Sequence, residues 1–324
     1  MTDPLLTDEQ AMIRDMARAF ATEQLAPGAA ARDRDAAFPA EQLRGMAELG
    51  LLGMVVPEEW GGAGADTVAH ALALEEIAAG DGAVSTIMAV HNSVACLPIL
   101  QYGSAEQKER FLRPLASGAK LGAFALTEPG AGSDAAAIRT RAEKRGNTYV
   151  LNGTKQFITS GKNADYVIVF AKTDPDADAA KPGRGMSAFI VPTDTPGYRV
   201  AAVETKMGQR SSDTCQLAFE DMELTPDLLL GDEGQGYRIA LANLEGGRIG
   251  IAAQALGMAR SAYAHAVAYA RERETFGKRI LEHQAVAFRL ADMKTKLAAS
   301  RQLVLHAARL RDAGVPCLAE AAMA

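Results

Sequence analysis

The chain has 324 residues, 48% of them hydrophobic and 23% charged, with a formal net charge of −6. That length allows about two or three domains, and the composition excludes a disordered or fibrous chain. The acidic balance also excludes a nucleic-acid partner held through phosphates, which needs clustered Lys and Arg, although a local basic patch could still hold a phosphorylated small molecule.

Cys96, Cys215 and Cys317 are odd in number and far apart, which gives neither a disulfide framework nor a zinc site and fits a reducing compartment. The N-terminal MTDPLLTDEQ is polar and acidic where a targeting peptide would be basic, so a cytoplasmic protein is expected. The longest apolar run reads as Leu49 towards Val56, far short of the roughly 20 residues of a membrane span, and none is expected.

In chain order, Met12, Ile13, Met16, Ala17 and Phe20 recur at helical spacing after a Thr7–Gln10 capping-box pattern, and Pro27 is expected to close that helix. Further helical spacing covers Glu41 to Leu49, Val68 to Ala78 and Val84 to Leu100, with a second capping box at Ser104 and Gln107. Residues 1–120 therefore read as an all-α domain.

After Leu121 the period shortens. Tyr149 to Leu151, Gln156 to Thr159, Tyr166 to Phe170 and Ser187 to Val191 read as strands, with Asn152-Gly153 as a tight hairpin turn between the first two. Residues 121–232 form the expected antiparallel β domain, and Thr173 to Gly185 an exposed loop. Helical spacing returns over Tyr237 to Arg271 and His283 to Asp312, and Gly314-Val315-Pro316 breaks it before a last helix near Leu318. So few helices do not cover the faces of a bundle, and residues 233–324 read as a truncated helix-bundle domain.

The stretch Phe124-Ala-Leu-Thr-Glu-Pro-Gly-Ala-Gly-Ser-Asp134 carries a strand into a glycine-rich turn whose free amides and hydroxyls suit an anion or a flavin edge. Gly130, Gly132 and Ala135 match the dinucleotide fingerprint only nominally, because strand-like sequence follows where a helix is required. Taken alone, such a stretch is more often an ordinary loop. It is followed, however, by Asn152-Gly-Thr-Lys-Gln-Phe-Ile-Thr159, and the pair resembles the linked flavin-binding signatures of the acyl-CoA dehydrogenase family.

VPEEWGGAGAD from Val56, LEGGRIG ending at Gly250, Arg273-Glu-Thr-Phe-Gly277 and His283-Gln284 extend that resemblance over nearly the whole chain. GGRIGIAAQALGMA from Gly246 and LADMK from Leu290 are most similar to the short-chain, butyryl-CoA branch. The resemblance implies an N-terminal all-α domain, a middle antiparallel β-barrel and a C-terminal helix bundle. It also implies FAD as cofactor, an acyl-CoA substrate, electron-transfer flavoprotein as electron acceptor, and a homo-oligomer, a tetramer, at work in fatty acid β-oxidation.

Residue by residue, the resemblance places Phe124, Leu126 and Thr127 against the flavin, with Phe157 and Thr159 on the ring's other approach. Gly132 and Ser133 would lie at the cofactor, Ser133 also touching substrate. Glu245 and Arg248 would line the acyl-CoA groove; without the resemblance they read as a solvated ion pair. Arg273, Thr275 and Phe276 would reach the FAD of a neighbouring subunit, with Gln284 and Phe288 in the same cofactor region, although a buried helix–helix contact is an equally good reading of Phe288. His91, His265 and His306 lack metal-ligand spacing and are read as structural, with no metal expected.

The implied reaction removes a proton from Cα and a hydride from Cβ to give a trans-2-enoyl-CoA. No catalytic residue is assigned. The closest branch carries its carboxylate base on a segment that would fall beyond Ala324, and a minority branch places it immediately before the helix arginine, which is Gly247 here. Glu245 lies two residues too early. A truncated, non-catalytic homologue that binds FAD, acyl-CoA or a partner chain is therefore the alternative reading, and an oxidase on the same scaffold is a third, ranked well below the dehydrogenase.

Overall fold

The computed structural model describes residues 5–174, 183 and 185–324, so residues 175–182 and 184 of the expected 173–185 loop lie outside the described residues. The N-terminal helices are α1 (Asp8–Phe20), α2 (Ala26–Asp35), α3 (Ala40–Glu48), α4 (Thr67–Gly80), α5 (Gly82–Val90), α6 (Leu97–Tyr102), α7 (Ala105–Gln107) and α8 (Arg113–Ala116). Both expected capping boxes are present, at Thr7 with Gln10 and at Ser104 with Gln107.

Pro27 does not end the first helix. A π-helical turn over Ala21–Leu25 widens the chain, so that the Ala26 N–H reaches back five residues to the Ala21 carbonyl and the helix continues as α2. The wider turn makes room for a ring that carries no N–H and would otherwise strike the preceding turn. Among the described residues the run Gly82–Tyr102, not Leu49–Val56, is the one long and apolar enough to cross a membrane, and 78% of its apolar window is buried inside the protein. A helix apolar all round and enclosed in this way has the character of a core helix.

The main sheet contains β1 (Gly122–Ala125), β2 (Arg141–Arg145), β3 (Thr148–Thr159), β4 (Tyr166–Lys172), β5 (Met186–Pro192), β6 (Tyr198–Val203), β7 (Thr214–Leu224) and β8 (Leu229–Leu230). Its order is β6-β7-β3-β2-β4-β5-β8, with β1 beside β4. The expected antiparallel barrel is corrected on two counts. The sheet is mixed, because β1 runs parallel to β4 with Phe124 opposite Ile168, and the β2–β3 segment is the crossover that a parallel pair requires. Among the described residues it is also open, since β6 pairs only with β7 and the two-residue β8 only with β5.

Asn152-Gly153 is not a hairpin turn either. β3 runs straight through it and pairs with β7 on both sides, with a shift in register between Leu151 and Gly153. Gly153 has φ +152°, and a Cβ there would lie 2.5 Å from Thr140 Oγ1, so the glycine serves a bulge and a close backbone approach.

After the sheet come α9 (Gly236–Glu272), a small hairpin of β9 (Glu274–Thr275) and β10 (Lys278–Arg279), α10 (Gln284–Asp312) and α11 (Leu318–Met323). By contacts the chain divides into two compact units, one of residues 1–30, 66–85 and 248–324, the other of residues 31–65 and 86–247.

In the first unit, Asp312 at the end of α10 accepts hydrogen bonds from the Thr67 and Val68 amides and so caps α4 together with Asp66. Buried Glu75 and Glu76 on α4 pair with Arg260 of α9, Glu75 also with Arg301 of α10, and Glu76 with Arg18 of α1. Each buried carboxylate thus meets two guanidinium groups, which offsets its loss of water.

The second unit has the sheet core, with Val167, Phe170, Phe189, Ile190, Leu217 and Met222 fully buried. His91 fastens β1 to the helices beside it: its Nε2 lies 3.0 Å from the Leu115 carbonyl, and its Nδ1 accepts from the Gly122 N–H at 3.0 Å. With Nε2 donating and Nδ1 accepting, the ring is held as one neutral tautomer.

Candidate functional site

β1 delivers Phe124, Leu126 and Thr127 to the edge of the sheet. Phe124 is half-buried, with its ring 4.9 Å from Phe170, while Leu126 is buried. Thr127 is half-exposed, and its carbonyl accepts the Gln156 N–H at 2.8 Å, which joins the first motif directly to the second. The Thr127 amide and hydroxyl have no hydrogen-bond partner among the described residues.

Beyond Thr127 the chain closes a tight turn through reciprocal Glu128–Ala131 backbone hydrogen bonds. Gly132 and Ser133 lie exposed on it, and a Cβ at Gly130 or Gly132 would meet nothing within 4 Å.

In the second motif β3 bulges between Lys155 and Ile158, and Phe157 adopts φ +59°. A left-handed Phe costs about 1–2 kcal/mol, and here the side chain is 63% exposed, so its own burial does not recover that cost. Thr159 is half-exposed two residues on. A donor-bearing strip, a projecting aromatic ring and an open glycine turn are what a planar heteroaromatic ring with an anionic tail requires, and these residues fit a flavin.

Glu128 and Lys155 stand within the two motifs, yet the sequence alone assigns them no role. They form a buried ion pair, Nζ to Oε1 2.9 Å, at 0% exposure for Lys155 and 7% for Glu128. Lys155 also donates to the Leu126 carbonyl at 2.9 Å, and Glu128 accepts from the Arg139 and Thr140 amides. Burial drives Lys155 down to about 8 against the pull of Glu128. Burial by itself would raise Glu128, but the Lys155 charge and the hydrogen bonds from Thr140, Lys155 and Arg139 hold it below the usual carboxylate range. In the sequence each is one charged residue inside a motif, and only the structure shows that both point inward where the two segments meet.

Glu245 is half-buried and Arg248 exposed on the single helix α9. Arg273, Thr275, Phe276 and Gln284 gather around the β9–β10 hairpin. Its two-residue loop, Phe276 at φ +54° and Gly277 at φ +75°, has the paired positive φ of a type I′ turn. Thr275 Oγ1 lies 3.1 Å from His283 Nε2, and the Phe276 ring meets the His283 imidazole edge-on yet remains 97% exposed. Phe288 is 63% exposed and is no buried helix contact within this chain. Among the described residues no group of three or more His, Cys, Asp or Glu could hold a metal ion.

Three family models match along the chain: acyl-CoA dehydrogenase N-terminal domain over residues 7–119, middle domain over 123–222 and C-terminal domain over 234–324. They give no support to the expectations that the chain is truncated or that its catalytic base lies beyond Ala324. The chain is 49% identical over 320 residues to an acyl-CoA dehydrogenase of Bacillus subtilis (strain 168), covering 98% of this chain and 83% of the relative.

Among solved structures, it matches butyryl-CoA dehydrogenase from Megasphaera elsdenii with TM-score 0.94 and 42% identity, covering 99% of this chain and 84% of the other. A chain of a structure described as electron transferring flavoprotein of Acidaminococcus fermentans matches with TM-score 0.95, 46% identity and the same coverages. The chain belongs to the acyl-CoA dehydrogenase family, whose members are FAD-dependent oxidoreductases acting on CH–CH bonds.

Proposed function

We propose that the chain catalyses α,β-dehydrogenation of a short-chain acyl-CoA to the trans-2-enoyl-CoA, with FAD bound along Phe124–Thr127, Gly132, Ser133, Phe157 and Thr159. Bound FAD would supply the hydride acceptor. The observation that carries the reading is the hydrogen bond from Gln156 N–H to the Thr127 carbonyl, which holds an amide and a hydroxyl without a partner among the described residues beside a strained, exposed Phe157. Strain of this kind persists where function uses it.

In this reading the Thr127 amide and hydroxyl and the Thr159 hydroxyl fix the ring's polar edge, and Phe157 keeps water from one approach. Ser133, Glu245 and Arg248 hold the CoA part of the substrate. Arg273, Thr275, Phe276 and Gln284 serve the cofactor of a second copy in a homotetramer, and a fully exposed Phe on a strained turn supports a surface that another copy covers.

Electrons pass to electron-transfer flavoprotein, and the protein works in the cytoplasm without a membrane span. The division into 1–120, 121–232 and 233–324 belongs to the same proposal. The short-chain assignment is favoured by the likeness to a butyryl-CoA dehydrogenase.

The test is turnover of butyryl-, octanoyl- and palmitoyl-CoA by the FAD-loaded protein with electron-transfer flavoprotein as acceptor, following the enoyl product. The reading requires the highest kcat/KM with butyryl-CoA. A preference for palmitoyl-CoA would overturn the short-chain assignment, and the absence of enoyl product from all three would overturn the activity.

A further inference from the structure

Lys155 is fully buried, a place where a lysine is almost never found unless it is paired. Its ammonium touches two groups, Glu128 Oε1 and the Leu126 carbonyl, each at 2.9 Å. The Leu126 carbonyl belongs to the same peptide unit as the Thr127 N–H. In a trans peptide those two groups point in opposite directions, so the ammonium sits behind the amide whose N–H has no partner among the described residues.

Glu128 completes the arrangement. Its carboxylate accepts from Lys155, Thr140 and Arg139, so the positive end of the pair is turned towards Leu126 and the negative end is neutralised by fixed backbone donors. A charged donor on a carbonyl withdraws electrons through the amide and strengthens its N–H as a donor, an effect magnified where water is excluded. The Glu128 carboxylate and the Leu126 carbonyl, each at 2.9 Å, favour the charged ammonium against the downward push of burial.

We infer that Lys155 is a positioning and tuning residue: through the Leu126–Thr127 peptide it strengthens the Thr127 N–H that faces the flavin, and so raises the flavin's reduction potential. This rests on the flavin reading above. Reduction adds negative charge to the ring, so a stronger fixed donor stabilises the reduced form more than the oxidised one. Removing the charge should therefore weaken binding of reduced FAD while leaving that of oxidised FAD nearly unchanged.

The experiment is the two-electron midpoint potential of bound FAD at pH 7, with oxidised-FAD affinity measured in parallel by flavin fluorescence. Wild type is compared with Lys155→Met and with the double variant Lys155→Gln, Glu128→Gln, which keeps a neutral hydrogen-bonded pair of similar volume and leaves no buried charge unpaired. The expected result is a potential lowered by the equivalent of about tenfold in the reduced-to-oxidised affinity ratio, about 30 mV for a two-electron couple.

A wild-type potential in the double variant overturns the inference. So does a folded double variant that no longer holds oxidised FAD, since that is the mark of a purely structural pair. Failure of the wild-type protein to hold FAD would undo the flavin reading and this inference together, an outcome separate from the other two.

Discussion

Replacing His91 by Gln should uncover a pH-dependent part of the stability of the β1 region. In the folded chain burial lowers the imidazole to about 4, against weaker upward pulls from the nearby Leu115 and Leu52 backbone and from Asp165. In the unfolded chain it titrates near its ordinary value of 6.5.

The folded state thus favours the neutral ring, so the contribution is complete above pH 6.5 and is lost as the pH falls from there towards 4. Between pH 7.5 and pH 5.0 the two titrations differ by about 2 kcal/mol, since a tenfold difference in proton affinity between the two states is worth about 1.4 kcal/mol and the folded group stays mostly neutral at pH 5. Gln can donate to the Leu115 carbonyl but does not titrate. Urea unfolding followed by circular dichroism at the two pH values should therefore show the gap between wild type and His91→Gln shifting in the variant's favour by about 2 kcal/mol on acidification. A gap constant to within about 0.5 kcal/mol would refute the reasoning, because the other titrating groups cancel in the difference.

Phe157→Gly should stabilise the protein by about 1 kcal/mol in thermal or urea unfolding, by releasing a left-handed Phe that is largely exposed. The same change should weaken FAD retention, and a variant that is both destabilised and fully flavin-loaded would contradict the role given to this side chain. Gly153→Val should cost at least about 2 kcal/mol, because its Cβ would meet Thr140 Oγ1 at 2.5 Å on a backbone with φ +152°; wild-type stability would argue against the bulge. For Glu245→Gln and Arg248→Ala, steady-state kinetics should show KM for butyryl-CoA raised by about tenfold each with kcat little changed, the pattern of lost ground-state binding. A collapse of kcat with unaltered KM would instead place the residue in the chemistry.

The helices are legible in the sequence because their signals are local. Apolar spacing and capping residues locate α9, α10, α11 and both capping boxes to within a residue or two. The two breakers mislead for a common reason: Pro27 and Gly153 act through what surrounds them. A π-helical turn absorbs the first, and the approach of Thr140 makes the second a bulge within one strand.

The parallel placement of β1 is equally hidden, since strand direction depends on how the intervening chain returns. The proposed cofactor residues are legible only through the linked motifs, and the structure brings Thr127 and Gln156 together as one hydrogen-bonded edge. The Glu128–Lys155 pair escapes a reading of the sequence because nothing local distinguishes an inward lysine on a strand from a solvated one.

The most direct test of the dehydrogenase reading is anaerobic: the purified chain, loaded with FAD, is mixed with butyryl-CoA and the flavin absorbance is followed. Rapid bleaching of the flavin band with formation of the 2-enoyl-CoA is the predicted result. A yellow, flavin-loaded protein that binds the thioester and does not bleach would contradict the account.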